Sequence, residues 1–326
     1  MRRPGQPGQH RSVTDLQLRA ARFPDEYAPL AELLQHEQEH RDPALFFTER
    51  VAERGGELLG VLGVGHDDFA YEPWRYWANL QVHPRVRNQG VGGALYAEFL
   101  KILQARGAQE ARTMLTETDG PGIRFLKARG WQETWRRHEF RLDTATADLS
   151  AGPDLGGLRL VPLDALAHDP QWGERLYELD WVLFQDVPMG QALTKRALDN
   201  WLASELHEPS VRLGLSFALL DDAVNDPLTG PYVGYTTLLQ NPGGFYFIGM
   251  TGVRRGYRGR GLARALKLAS MRALQDAGGG EIRTFNDPPN VAMIAMNRAL
   301  GFVKQPDRVR YELHLESVTA AQGTEG

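Results

Sequence analysis

One stretch of this chain occurs twice, and that repeat limits the possible fold more than any other feature. Val253-Arg-Arg-Gly-Tyr-Arg258-Gly-Arg-Gly261-Leu-Ala263-Arg-Ala265 follows the apolar run 245–251. Val82-His-Pro-Arg-Val-Arg87-Asn-Gln-Gly90-Val-Gly92-Gly-Ala94 follows the run 77–81. The copies stand 171 positions apart, a register kept at Arg87/Arg258, Gly90/Gly261, Leu95/Leu266, Gly107/Gly278, Gly130/Gly301, Trp131/Phe302, Phe140/Tyr311 and Leu142/Leu313. An ungapped match of that length marks an internal duplication. Its period is that of a domain, so it implies two like domains rather than a solenoid.

The backbone of the stretch points to an anion. An apolar strand feeds a glycine-rich turn that opens a helix with apolar Leu262, Ala265, Leu266, Ala269 and Leu274. The first amides of a helix lack intrahelical partners, and the helix dipole adds positive charge there. Gly259 and Gly261 let a ligand approach the main chain, while Arg258 and Arg260 add charge. Together they predict a phosphate cradle. Read alone, either copy is equally a capped helix with exposed arginines; two copies in one register favour the cradle.

Both elbows, Arg87-Asn88-Gln89-Gly90-Val91-Gly92 and Arg258-Gly259-Arg260-Gly261-Leu262-Ala263, resemble the Arg/Gln-x-x-Gly-x-Gly/Ala signature of the GCN5-related N-acetyltransferases, the GNAT family. Asn290, Met293 and Gly301-Phe302 are similar to that family's Asn-x-x-Ala…Gly-Phe segment; the first half has Asp119, Gly122 and Gly130-Trp131 there. The resemblance implies two α/β (α+β) domains, each a mixed, mostly antiparallel sheet with helices on both faces. It implies acetyl-CoA as cofactor, its pyrophosphate on the elbows and its pantetheine arm held by Asn290. The backbones of Thr251, Gly252 and Val253, and of Leu80, Gln81 and Val82, would pair with that arm in a form of strand addition.

At 326 residues the chain fits two domains. Net charge is −4, so the arginine cluster reads as a local anion site and not as a nucleic-acid surface. With no cysteine, disulfides, a thiol nucleophile and a cysteine-ligated zinc are excluded. His66, His83 and His138 lack metal-ligand spacing, so no metal is expected. The start, 1–10, has no apolar core of a signal peptide, and no run reaches membrane-spanning length. A cytoplasmic protein is expected.

Composition and periodicity place a loose tail at 1–15, a first domain at 16–145, a linker at 146–157, a second domain at 158–316 and a tail at 317–326. In the second domain helices are expected at 172–184 and 193–206, and strands at 211–220, 232–240 and 245–253. The second copy is longer before its elbow, in the region that lines the acceptor pocket in the family.

The implied chemistry is attack of an amine on an acetyl thioester. A lysine-type amine costs about 4–5 kcal/mol to deprotonate at pH 7, and an α-amine about 1. Many family members place a tyrosine acid four residues before the Gly-Phe pair. Asn297 and Leu126 stand there, which puts a tyrosine acid in doubt in both halves and leaves Asn297 as a hydrogen-bonding candidate. Asp186, in the turn between two helices, is the candidate base. The second half is expected to be the better enzyme, acting on a small-molecule amine or an amino terminus. A non-catalytic acyl-CoA-binding sensor or scaffold is the alternative.

Overall fold

The structure is a computed structural model and describes residues 16–21, 31–150 and 152–315. The first half runs β1 (Gln17–Ala20), α1 (Ala31–His40), β2 (Phe47–Arg54), β3 (Glu57–Gly65), β4 (Arg75–Val82), α2 (Val91–Ala105), β5 (Glu110–Thr116), α3 (Gly120–Lys127) and β6 (Gln132–Asp143). The second runs β7 (Arg159–Pro162), α4 (Trp172–Phe184), α5 (Leu198–Glu205), β8 (Phe217–Leu220), β9 (Tyr232–Asn241), β10 (Phe245–Val253), α6 (Leu262–Asp276), β11 (Glu281–Asn286), α7 (Val291–Ala299), β12 (Val303–Lys304) and β13 (Arg308–His314).

The described strands form one continuous sheet in the order β1-β2-β3-β4-β5-β13-β6-β11-β10-β9-β8-β7, with β12 also on β6. Only β4/β5 and β10/β11 run parallel. Each parallel pair follows from a crossover helix, α2 or α6, which lays Leu95, Phe99 and Leu103, or Leu266, Met271 and Leu274, on its own half of the sheet.

The order shows a reciprocal exchange. β13 lies between β5 and β6, with Glu110 opposite His314 and Thr116 opposite Arg308. The second part of β6 pairs with β11, with Glu281 opposite Asp143. These registers are the same register moved by the repeat. Each half's closing strand therefore completes the other half's sheet. The segments 16–145 and 158–316 are not separately closed bodies, and the expected boundaries divide the sequence but not the sheet. At the seam Arg112 joins Glu110 and Glu312 at 2.7 and 2.9 Å, all three buried. Val309, Tyr311 and Leu313 of β13 sit in the first half's core.

Other expectations change locally. The described residues of the expected linker, 146–150 and 152–157, are not slack. Arg272 Nε donates to Leu149 O at 2.7 Å, Leu149 is buried, and Pro153 packs against Gly261, so the segment runs back along α6. The tails at 1–15 and 317–326 lie outside the described residues. The helix expected at 193–206 begins only at Leu198, because the preceding backbone is bonded elsewhere: Thr194 N donates to Phe69 O. Only 217–220 of the strand expected at 211–220 forms, preceded by a 3-10 turn at Leu213–Leu215. No described helix is long and apolar enough to cross a membrane.

Candidate functional site

The two elbows share one backbone. A 3-10 turn follows β4 and β10 (84–86 and 255–257), then an extended arginine whose Nε donates to the strand end. Arg87 donates to Val82 O and Arg258 to Val253 O, both at 3.3 Å. Asn88 and Gly259 are left-handed (φ 60° and 78°), as are Gly90 and Gly261 (86° and 75°). Asn88 is the one non-glycine with positive φ among the described residues, a role asparagine tolerates. Gly90 and Gly261 cap α2 and α6 without a side-chain hydrogen bond, so Val91, Gly92, Leu262 and Ala263 open helices whose first amides stay available to an anion. Gln89 turns back onto Arg85 O, and Arg260 lies 5.9 Å from the Tyr257 ring centre.

Asp186 belongs to this elbow. Its carboxylate takes Arg255 and also Arg258, the latter at 2.5 Å. The hydrogen bond from Arg255, with that from Arg258, holds the carboxyl down at about 2. A group so acidic is a weak base near neutrality, and it faces the arginines instead of an acceptor. The expectation of Asp186 as the base is therefore revised: its geometry makes it a counter-ion to the cradle. Replacing it by Asn should leave kcat within threefold and tighten binding of an anionic ligand several-fold, read by calorimetry; a hundredfold loss of kcat would restore it as the base.

Past their short parallel ladders the paired strands separate, β4 from β5 after Trp77 and β10 from β11 after Phe247. In the second half β10 also bulges against β9 between Ile248 and Thr251, whereas β4 keeps an unbroken register with β3. Bulges of this kind re-aim backbone beside active sites. A cavity of about 430 Å³ opens there, bounded by Thr251, Lys267, Asn290, Met293, α4, and the 187–196 segment. Thr251 Oγ1 bonds Thr236, Gly252 abuts Leu183, and Val253 is buried. In the first half Leu80 and Val82 pack with Phe125 and Tyr96 on that half's core, while Gln81 is exposed. The Phe125 ring lies 3.5 Å from where a Cβ on Gly92 would be.

Asn290 caps α7, its side chain accepting from Met293 N at 3.4 Å, as Asp119 caps α3 through Gly122 N at 3.0 Å. Asn297 is fully buried, with both ends committed: Oδ1 accepts from Lys267 Nζ at 2.7 Å and Nδ2 donates to Asn286 Oδ1 at 2.6 Å. Buried so, it does not line the cavity, which corrects the expectation that Asn297 itself acts in the site.

Sequence reasoning missed Asp180. It projects from α4 into the cavity, accepting from Tyr235 Oη at 2.5 Å and Trp201 Nε1 at 2.8 Å. Surrounding protein and then the Glu205 charge raise its pKa to about 6, against the opposing hydrogen bonds. The signal was faint: α4 carries three acids, Glu174, Glu178 and Asp180, and nothing local sets the last apart from the other two. The exchange brings first-half residues to the same wall. Trp135 Nε1 donates to buried Asp287 at 2.7 Å, and Arg137 pairs with it at 3.3 Å. Arg196 ties the 187–196 segment to Asp68 and Glu205 at 3.2 and 2.7 Å.

Residues 11–131 and 174–302 match the acetyltransferase (GNAT) family. Among curated relatives, a mycothiol acetyltransferase of Pseudarthrobacter chlorophenolicus is 26% identical over 238 residues, covering 71% of this chain and 68% of the relative. Another, of Nocardiopsis dassonvillei, is 26% identical over 308 residues, covering 90% and 89%. Among solved structures, a tandem GNAT protein from the clavulanic acid biosynthesis pathway superposes with a TM-score of 0.70 at 22% identity, covering 92% of this chain and 98% of that one. A GCN5-related N-acetyltransferase from Sphaerobacter thermophilus gives 0.63 at 18%, covering 93% and 96%.

Proposed function

The chain belongs to the GNAT family of acetyltransferases and is an acyl-CoA-dependent N-acetyltransferase, and we propose that its second half transfers acetyl from acetyl-CoA to a small cationic amine. The observation that carries this reading is that one strand joins the two features: β10 lines the cavity of Asp180 and Asp287 through Thr251 and, past its bulge, ends at Val253 where the elbow of α6 begins. The residues fit the cofactor. Two left-handed glycines, uncapped amides and Arg258 would receive a diphosphate, and the parted edges of β10 and β11 would receive an amide-bearing arm. When bound, the thioester supplies the activated acetyl group.

Asp287 and Glu205 are already paired with Arg137 and Arg196, whereas Asp180 has only uncharged partners, so at Asp180 the cavity favours an amine over an anion. At neutral pH Asp180 is mostly ionised, and each of its oxygens accepts one hydrogen bond, from Tyr235 Oη and Trp201 Nε1, which fixes the carboxylate on the cavity wall. We assign it the role of base, taking the amine's proton; a base near 6 suits that task where an amine costs several kcal/mol to deprotonate. The first half we read as scaffold. Its elbow persists, but Phe125, Tyr96 and Leu126 fill the corresponding region.

Coenzyme A release measured against an amine panel tests the function. Tight cofactor binding with no amine-dependent thiol release would leave only a binding protein. Asp180→Asn should lower kcat/KM by about 100-fold or more. Because the carboxylate is the active form, the wild-type rate should climb as pH rises through about 6, and the variant should lose that limb. A variant that keeps both rate and limb would exclude Asp180.

A further inference from the structure

The cavity of the second half contains a buried lysine with no counter-ion among the described residues. Lys267 lies in the middle of α6 with 1% of its surface exposed, and it lines the cavity with Thr251, Asn286 and Met293. Its Nζ donates to Asn297 Oδ1 at 2.7 Å, an orientation fixed by the bond from Asn297 Nδ2 to Asn286. An ammonium has three donors. Among the described residues one is so used, and the only other attraction is the Phe302 ring, its centre 5.6 Å from Nζ. Desolvation alone lowers the Lys267 pKa to about 7, so both protonation states are accessible near neutrality. The other charged groups on the cavity are Asp180, Glu205, Glu208, Asp287, Lys195, Arg137 and Arg196, and none of them forms an ion pair with Lys267.

Packing does not explain this amine. The neighbours Leu266, Leu268 and Met271 are buried, and a methionine at 267 would fill similar space without desolvating a charge. Position 297 is where a tyrosine acid would have stood; Nζ sits just beyond the tip of Asn297, within the reach of such a longer side chain. In the first half the matching positions are Tyr96 and Leu126, and the Tyr96 hydroxyl accepts from Trp131 Nε1 at 3.1 Å, with no buried lysine. The charge belongs to the half with the bulge and cavity.

We propose that Lys267 is the catalytic acid of the second half, donating its Nζ proton to the coenzyme A sulfur as the acetyl carbon–sulfur bond breaks. This rests on the cofactor reading above. The amine nitrogen bonds the acetyl carbon, the electron pair of the broken bond stays on sulfur, and the Nζ proton caps it. Asp180 takes one proton from the ammonium before attack and passes it to solvent, takes the second from the nitrogen once it is bonded to the acetyl carbon and passes that on too, and Lys267 regains one from solvent.

Lys267→Met, close in volume, tests this with coenzyme A and desulfo-coenzyme A at pH 8. The wild type should bind coenzyme A more than tenfold tighter than the desulfo form, with the bound thiol ionising below its ordinary pH by thiolate absorbance. In the variant that preference should vanish, the thiol should titrate as in solution, and kcat should fall at least 100-fold. The variant's melting temperature should rise below pH 7. The gap should close toward pH 10, because the folded wild type gives up this proton at lower pH than the unfolded chain. Unchanged preference and thiol titration in the variant would overturn the role of Lys267. If neither ligand binds the wild type, the elbow assignment fails first.

Discussion

Arg258→Glu is expected to weaken acetyl-CoA binding by 100-fold or more in calorimetry, while Arg87→Glu leaves it within threefold. A charge-assisted hydrogen bond contributes about 1.5–3 kcal/mol, and reversal adds repulsion to that loss. Asp186 makes the effect larger. It sits 2.5 Å from the Arg258 guanidinium, so the substitution would set two carboxylates together at the mouth of α6. A loss near 3 kcal/mol is already about 100-fold. Arg87 has the same backbone contact but leads to the filled half. Damage from Arg87→Glu with Arg258→Glu silent would move the site to the first half, and the stoichiometry would follow.

Ending the chain before Asp307 should destroy the first half's fold without removing a residue of the cavity. β13 pairs on both sides, with β5 and β6, and its Val309, Tyr311 and Leu313 are each at most 2% exposed. Burying such side chains contributes about 1.5–3 kcal/mol apiece, so the three approach the whole stability of an ordinary domain, about 5–15 kcal/mol. Truncation would also leave Arg112 without Glu312 and bare two strand edges. The expected outcome is loss of the cooperative melt and of acetyl-CoA binding, with aggregation by size-exclusion chromatography. A truncated chain that melts and binds like the full one would show the exchanged strand to be dispensable.

The duplication made much of this legible. The glycines of both elbows and the helix at 172–184 follow from local chemistry, and the structure has them there. The strand exchange was not legible, for a reason built into the repeat. Residues 137–143 and 308–314 are equivalent copies, so either closes either half in the same register; only the three-dimensional path chooses. Lys267 was hidden differently. A lysine in a helix is ordinarily solvated, and only the density of apolar neighbours, from Leu262 through Leu274, marks α6 as enclosed on nearly every side. Asp186 and Asp180 are both acids of the acceptor region. What separates counter-ion from base is which of them faces arginine, and that depends on contacts 69 and 72 residues away in the chain.

The exchange also bears on biosynthesis. At the seam Asp307 N donates to the Glu117 carboxylate across 190 residues, and β13 is translated after every other described strand. The half made first thus cannot finish on the ribosome while the second is still emerging, contrary to the usual order in which domains fold as they appear. Both halves must reach the native state together, so a nascent chain stalled before β13 carries two open sheets in search of one strand.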